Sequence, residues 1–198
     1  MDVREALLKA AVKAFAACGT PGATTRRIAE DAGVNEVTLF RHFSNKDELM
    51  QAALAHFAQH AFPTRLPDVP ADPAAELLDW CLEHHRALYK ARAIIRRSMG
   101  EFDDRPECCA QGMKVSIRIA DELSSYLSQL KRLGLAREGW DERAAAAMLM
   151  GALFTDAMGR DTMPERYPTS MRDAVESYVD LFLHAVGPLR APKAAPSR

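Results

Sequence analysis

Residues 24–43 read TTRRIAEDAGVNEVTLFRHF, and the fold is decided there. Thr24 has a side-chain oxygen suited to cap a helix, and Ile28, Ala29 and Ala32 recur at the spacing of one helical face. Gly33 interrupts that pattern. Val34 supplies an apolar pin, and Asn35 offers a second cap ahead of Glu36-Val37-Thr38-Leu39-Phe40-Arg41-His42-Phe43. Two short helices joined by a tight turn with glycine form a helix-turn-helix. In that geometry the first helix braces against a DNA backbone while the second enters the major groove, which is wide enough to admit a helix.

The flanks extend the unit. A first helix is predicted over residues 3–18, with Leu7, Leu8, Ala11, Val12 and Phe15 on one face; Gly19, Pro21 and Gly22 close it. Asn45 caps a fourth helix that ends near residue 61, with Glu48 as its capping-box partner. Lys46 falls in the first turn of that helix. A lysine there opposes the helix dipole, unless a phosphate docks on the helix end.

On the second helix of the motif, Thr38 offers a hydroxyl and a methyl, and Arg41 and His42 offer donors. Asn35 stands at its N-terminus, where base contacts concentrate. Leu39 and Phe40 are suited either to thymine methyls or to packing. Glu36 is suited to a cytosine amino group, or to deterring non-specific binding. Taken as an ordered set, Phe15, Gly19, Thr24, Ile28-Ala29, Ala32-Gly33-Val34, Thr38-Leu39-Phe40, His42-Phe43, Lys46 and Glu48-Leu49 resemble the DNA-binding domain of the TetR/AcrR family of transcriptional regulators. The resemblance covers residues 5–55. It implies DNA contacts from Thr24, Thr25, Arg26, Asn35, Glu36, Thr38, Leu39, Phe40, Arg41, His42 and Lys46. Two departures stand out. Family members most often carry Tyr, with its hydroxyl on a phosphate, where this chain has Phe40, which is left to pack on sugar or on a thymine methyl. Asn35 replaces a common Ser and retains the cap.

Charge lends no separate support. The 198 residues carry 26 Lys plus Arg and 27 Asp plus Glu, a formal net charge of −1. Any nucleic-acid site is therefore a local basic patch on a neutral body. Hydrophobic residues at 48% and charged residues at 27% are an ordinary globular balance. The apolar stretch 144–155 is 12 residues long, short of the roughly 20 that span a bilayer. MDVREALLKA at the start is unlike a secretory signal. Cys18, Cys81, Cys108 and Cys109 form no CxxC or even framework, which points to a reducing, cytoplasmic setting.

Beyond the prolines at 63, 67, 70 and 73, which read as a linker, the pattern stays helical. Helices are predicted from Pro73 to about residue 91, over 94–102, from Pro106 to Gly134, from Asp141, and from Ser170 to Val186. The expected architecture is all-α. Residues 1–50 form a three-helix helix-turn-helix DNA-binding domain, residues 51–187 a larger helical effector-binding and dimerisation domain, and 188–198 a disordered tail. The helix from Asp141 is apolar on every face, so one side is expected to meet a second copy of the chain. The last helix places Met171, Ala174, Val175, Tyr178, Phe182 and Ala185 on one stripe. The resemblance implies that these two helices form a four-helix homodimer interface.

The resemblance also implies a small-molecule cavity between the helices that begin at Pro73, Pro106 and Asp141. The first has an apolar stripe at Leu77, Leu78, Cys81, Leu88 and Ala91; the second at Cys109, Met113, Ala120, Leu123, Leu127 and Leu130. Trp80, His84, Met113, Ser116, Met148 and Phe154 are the expected lining, suited to an apolar or aromatic effector. Each of these residues, taken singly, also suits plain core packing, and His84 and His85 compete for the inward position. The expected function is a cytoplasmic repressor that binds a palindromic double-stranded DNA operator as a dimer and releases it on binding an effector, with no cofactor, metal or membrane. Two other classes stay open. Cys81, His84 and His85 with Cys108 or Cys109 suggest a metal- or thiol-responsive sensor. A small helical enzyme finds no support in a Gly-rich phosphate loop, GxSxG or HExxH.

Overall fold

A computed structural model of the chain describes residues 2–62 and 65–187. Those residues form α1 (Val3–Gly22), α2 (Thr25–Asp31), α3 (Glu36–His42), α4 (Lys46–Ala61), α5 (Pro73–Gly100), α6 (Glu107–Arg132), α7 (Glu142–Gly159) and α8 (Met171–Val186), with a 3-10 turn at Pro164–Arg166 and no strand among them. Pro63 of the proline-rich segment and the tail 188–198 lie outside the described residues. The fold class is the all-helical one expected.

The helix starts follow local side-chain chemistry. Thr24 Oγ1 accepts from Arg27 N at 3.3 Å, Asn35 Oδ1 from Thr38 N at 2.8 Å, Asn45 Oδ1 from Glu48 N at 2.8 Å and Asp141 Oδ1 from Ala144 N at 2.7 Å. Each satisfies an amide that the helix leaves without an internal partner. Glu48 departs slightly from the expected capping box, because its Oε2 accepts from Ser44 N at 2.7 Å, one residue before the cap.

The described residues gather into two compact units. The first contains α1–α4 together with residues 90–115. Its core joins Leu7, Leu8, Ala11 and Phe15 of α1, Ile28 and Ala29 of α2, Leu39 of α3, and Leu49, Met50, Ala53 and Leu54 of α4. Gly19 has φ 69° and interrupts α1 where the sequence placed its end. A Cβ there would collide with Glu101 Oε1, the atom that accepts from Thr20 N at 2.9 Å.

The second unit runs to Tyr89 on α5 and resumes at Ser116 on α6. Within it α7 packs on α8. Three expectations need correction. First, α5 runs unbroken from Pro73 to Gly100. The expected break near residue 92 is absent, since neither Gly nor Pro interrupts the hydrogen-bond ladder there. Second, α6 follows the expected stripe only in its C-terminal half: Leu123, Leu127 and Leu130 are buried, joined by Ile119 and Tyr126, while Met113 is exposed. Tyr126 was not among the expected inward positions. Its ring is buried and its hydroxyl donates to Glu76 Oε2 on α5, a partner invisible to a count of apolar positions. Third, α8 buries Val179 and Val186 rather than Tyr178 and Ala185.

Leu39 has no exposed surface, whereas its neighbour Val37 is 70% exposed. Leu39→Ala is expected to lower the unfolding free energy by about 2–5 kcal/mol in urea titration. Val37→Ala is expected to change it by less than about 0.5 kcal/mol.

Candidate functional site

Ala32, Gly33 and Val34 turn the chain between α2 and α3. Val34 N donates to Ala29 O at 3.0 Å and Gly33 has φ 73°, the bond pattern of a glycine-terminated helix. The next cap, Asn35, also accepts from Thr38 Oγ1 at 2.9 Å. Thr25 Oγ1 donates to Glu36 Oε1, which ties the first turn of α2 to the first turn of α3.

Successive residues on α3 are rotated by about 100°. With Leu39 directed into the core, Val37 and Arg41 point away from it, and Phe40, Arg41 and His42 are exposed. Arg41 and Val37 thus occupy the middle of the free face, with Phe40 and Thr38 at its margins. Thr24, Arg26 and Asn35 are exposed, and Thr25, Glu36, Thr38 and Lys46 are half-buried. Arg26 pairs with Glu30 at 3.1 Å on the surface of α2. Lys46 is the first residue of α4.

Ten of the eleven residues expected at DNA therefore keep some exposure. Leu39 is the correction: its side chain is spent on holding α3 to the core and cannot reach a base. Val37, which the sequence reading did not single out, is 70% exposed beside Arg41. Its signal was the i, i+4 spacing to Arg41, opposite the core position of Leu39.

The second unit holds a buried polar network. Asp156 on the apolar α7 has no exposed surface. Its carboxylate accepts from Arg160 Nε at 2.9 Å and Arg160 Nη2 at 2.7 Å, from His85 Nε2 at 2.6 Å and from Tyr178 Oη at 2.8 Å. Burial alone would raise the Asp156 pKa, but the hydrogen bonds from Arg160, His85 and Tyr178 outweigh it and hold the carboxyl below its usual range. Burial lowers His85 despite the Asp156 bond, and raises the Tyr178 hydroxyl to about 12 with help from that carboxylate. Asp156 and Arg160 did not figure in the sequence reading. The signal was a lone acid within an apolar helix, with an arginine four residues on.

The residues expected to line a cavity separate into two groups. Trp80 and His84 are buried and stacked, with ring centroids 3.8 Å apart. His84 Nδ1 donates to Trp80 O at 2.9 Å, and Trp80 Nε1 donates to Glu122 Oε1 at 3.3 Å. Burial lowers the His84 pKa as well. Phe154 is half-buried. Met113, Ser116 and Met148 are exposed and do not sit on an inward face, because α6 and α7 turn other residues to their cores. An open groove lined by Ala16, Ala93, Arg96, Arg97, Gly100 and Glu101 lies in the first unit. No group of three His, Cys, Asp or Glu placed to hold a metal occurs among the described residues, and no helix among them is long and apolar enough to cross a membrane.

Comparison with known proteins adds independent findings. Residues 7–53 match the model described as bacterial regulatory proteins, tetR family. The chain is 32% identical over 176 residues to the HTH-type transcriptional repressor Rv3405c of Mycobacterium tuberculosis, covering 88% of this chain and 87% of that one. A crystal structure of a tetR-family transcriptional regulator from Mesorhizobium loti superposes with a TM-score of 0.77 at 20% identity, over 92% of this chain and 96% of that one. SmeT, the repressor of the Stenotrophomonas maltophilia multidrug efflux pump SmeDEF, gives 0.69 at 24% identity, over 100% and 97%, and a SmeT–triclosan complex also matches.

The lowered histidines make stability depend on pH. Below about pH 6.5, the ordinary imidazole value, the unfolded chain takes protons at His84 and His85 that the folded chain refuses. Stability therefore falls on acidification until the folded imidazoles also titrate. Asp156, ionised in the fold below its ordinary value of 3.8, subtracts more in stronger acid. Thermal unfolding is expected to show a falling Tm from pH 7 to 5, and the double variant His84→Gln/His85→Gln to show a flatter profile over that interval.

Proposed function

The chain belongs to the tetR family of bacterial regulatory proteins, and from that premise we propose that it is a repressor which grips a palindromic operator as a homodimer and releases it when a small apolar molecule binds. Residues 1–50 carry DNA recognition in this reading, and residues 51–187 carry effector binding and dimerisation. A cytoplasmic setting follows from those partners.

The observation that supports it best is the free face of α3. A seven-residue helix is held by Leu39 and Phe43 while Val37, Phe40 and Arg41 stay uncovered. Uncovered apolar side chains beside an arginine suit a major groove, where thymine methyls stand next to guanine acceptors. Arg41 and Thr38 read base edges in this proposal, with His42 beside them. Val37 and Phe40 meet methyl groups or sugar. Thr24, Thr25, Arg26, Asn35 and Lys46 hold the backbone. Glu36, already accepting from Thr25, sets the spacing of α2 and α3.

Two copies are needed, because one recognition helix reads few base pairs and a dimer spans half-sites about 34–36 Å apart. The face of α7 away from its buried side carries Ala144, Ala147, Met148, Gly151 and Thr155, all exposed, with Met148 at 56%. On α8 Leu181 is 69% exposed. Small residues beside uncovered Met and Leu suit close helix packing across a two-fold axis. For the effector, Trp80, His84 and Phe154 of the second unit are the lining drawn from the six expected. An apolar or aromatic molecule suits them.

Operator binding measured by anisotropy tests the reading. Lys46→Ala is expected to weaken operator and random DNA alike and to lower the salt slope by about 1. Arg41→Ala is expected to cost about 1–3 kcal/mol more on operator than on random DNA, and equal losses on both would remove Arg41 as a base reader. Sedimentation of the wild type at micromolar concentration is expected to give a dimer. Leu181→Arg with Met148→Arg is expected to give a monomer that has lost operator affinity.

A further inference from the structure

His85 departs from three other helical histidines of this chain. His60, His84 and His184 each direct Nδ1 at the carbonyl four residues earlier, at 2.7, 2.9 and 2.8 Å. The His85 ring instead turns its Nε2 to Asp156 Oδ1 at 2.6 Å. Nδ1 is left buried, with no hydrogen-bond partner among the described residues. The residue has no exposed surface.

The chemistry of that atom follows from its neighbours. A carboxylate accepts and does not donate, and Asp156 is kept ionised by the Arg160 guanidinium on both its oxygens. The proton of His85 therefore sits on Nε2. Burial keeps the ring neutral, so Nδ1 presents a lone pair. A buried acceptor without a donor is a penalty that a correctly placed donor lifts.

The same network excludes charged partners. Arg160 spends Nε and Nη2 on Asp156 and Nη1 on Thr169 O, so it has little left for an anion, and the Nδ1 lone pair repels one. Asp156 already accepts four hydrogen bonds from Arg160, His85 and Tyr178, so it offers nothing to an ammonium. A neutral donor remains.

We propose that the effector is an apolar molecule carrying a phenol-type hydroxyl, and that His85 Nδ1 accepts the proton of that hydroxyl inside the second unit. This rests on the effector reading above and adds the ligand's class and the atom that recognises it. The network has a positioning role: Asp156, fixed by Arg160 and Tyr178, holds the His85 tautomer that makes Nδ1 an acceptor. His84, the sequence candidate for orientation, has already committed its Nδ1 to Trp80 O.

The experiment compares phenol, 2-naphthol and 4-phenylphenol, each with its own methyl ether, by calorimetric binding and by release of operator from the full-length dimer. In the wild type at least one hydroxyl compound should bind roughly tenfold or more tighter than its ether. His85→Phe should bring the two within about twofold, and His85→Gln, which keeps an acceptor, should restore part of the preference. A wild-type measurement guards against misfolded variants: the 15N resonance of His85 Nδ1 should move on adding the tighter-binding phenol and stay put with its ether. If ethers and phenols bind and release operator equally, the effector reading stands and the hydroxyl assignment falls. If the Nδ1 resonance is already that of a hydrogen-bonded nitrogen and does not move, a bound water occupies the atom and the proposal is overturned. If no compound binds or releases operator, both readings fail.

Discussion

The burial of Leu39 governs the first unit. A helix of seven residues has too few internal hydrogen bonds to stand by itself, so its direction is set from outside. Leu39 and the following Phe43 enter the core that α1 and α4 build around Phe15, Leu7 and Leu49. Once Leu39 is placed, rotation along the helix sends Val37 and Arg41 outward. The turn at Gly33 and the Thr25–Glu36 bond fix the angle of entry from α2. Specific residues at the free face can then vary with little effect on the fold, because none of them carries the packing.

The second unit adds a different constraint to its apolar packing. A carboxylate removed from water is costly unless it is paired and fully hydrogen-bonded. Asp156 meets that demand through Arg160 of its own neighbourhood, His85 of α5 and Tyr178 of α8. The donors come from α5, from α8 and from the residue that ends α7, so a shift of any one leaves a buried charge less satisfied. Such a network defines one arrangement of α5, α7 and α8 more sharply than interchangeable methyl groups do. It also sets the state of His85, whose second nitrogen is the unpartnered polar atom of an otherwise satisfied cluster.

The two units thus differ in where their unpartnered chemistry lies. On α3 the uncovered residues are largely apolar and basic. Around His85 the chemistry is inside and directional. A face built on an apolar core tolerates a change of side chain, whereas a buried acceptor is satisfied only by a donor placed to meet it.

What the sequence by itself determined was local. Thr24, Asn35 and Asn45 cap the helices they were expected to cap, and Asp141 and Ser170 cap helices that were expected to begin at them, because a cap satisfies amides two or three residues away. Gly19 and Gly33 break helices where expected, since a positive φ suits glycine whatever surrounds it. The helix-turn-helix was legible for the same reason, as its caps, turn and apolar spacing lie within 20 consecutive residues. The tertiary structure decided which faces turn inward. Tyr126 reaches Glu76 across 50 residues and joins Leu123, Leu127 and Leu130 on the inner side of α6, while Met113 and Ser116 of the expected stripe are exposed. His85 meets Asp156 across 71 residues, and with Arg160 and Tyr178 it makes a buried polar cluster out of positions that read as apolar helix or solvated face. A periodic pattern records that a helix has an inner side, but a few degrees of rotation per residue, set by partners distant in the chain, determine which residues stand on it.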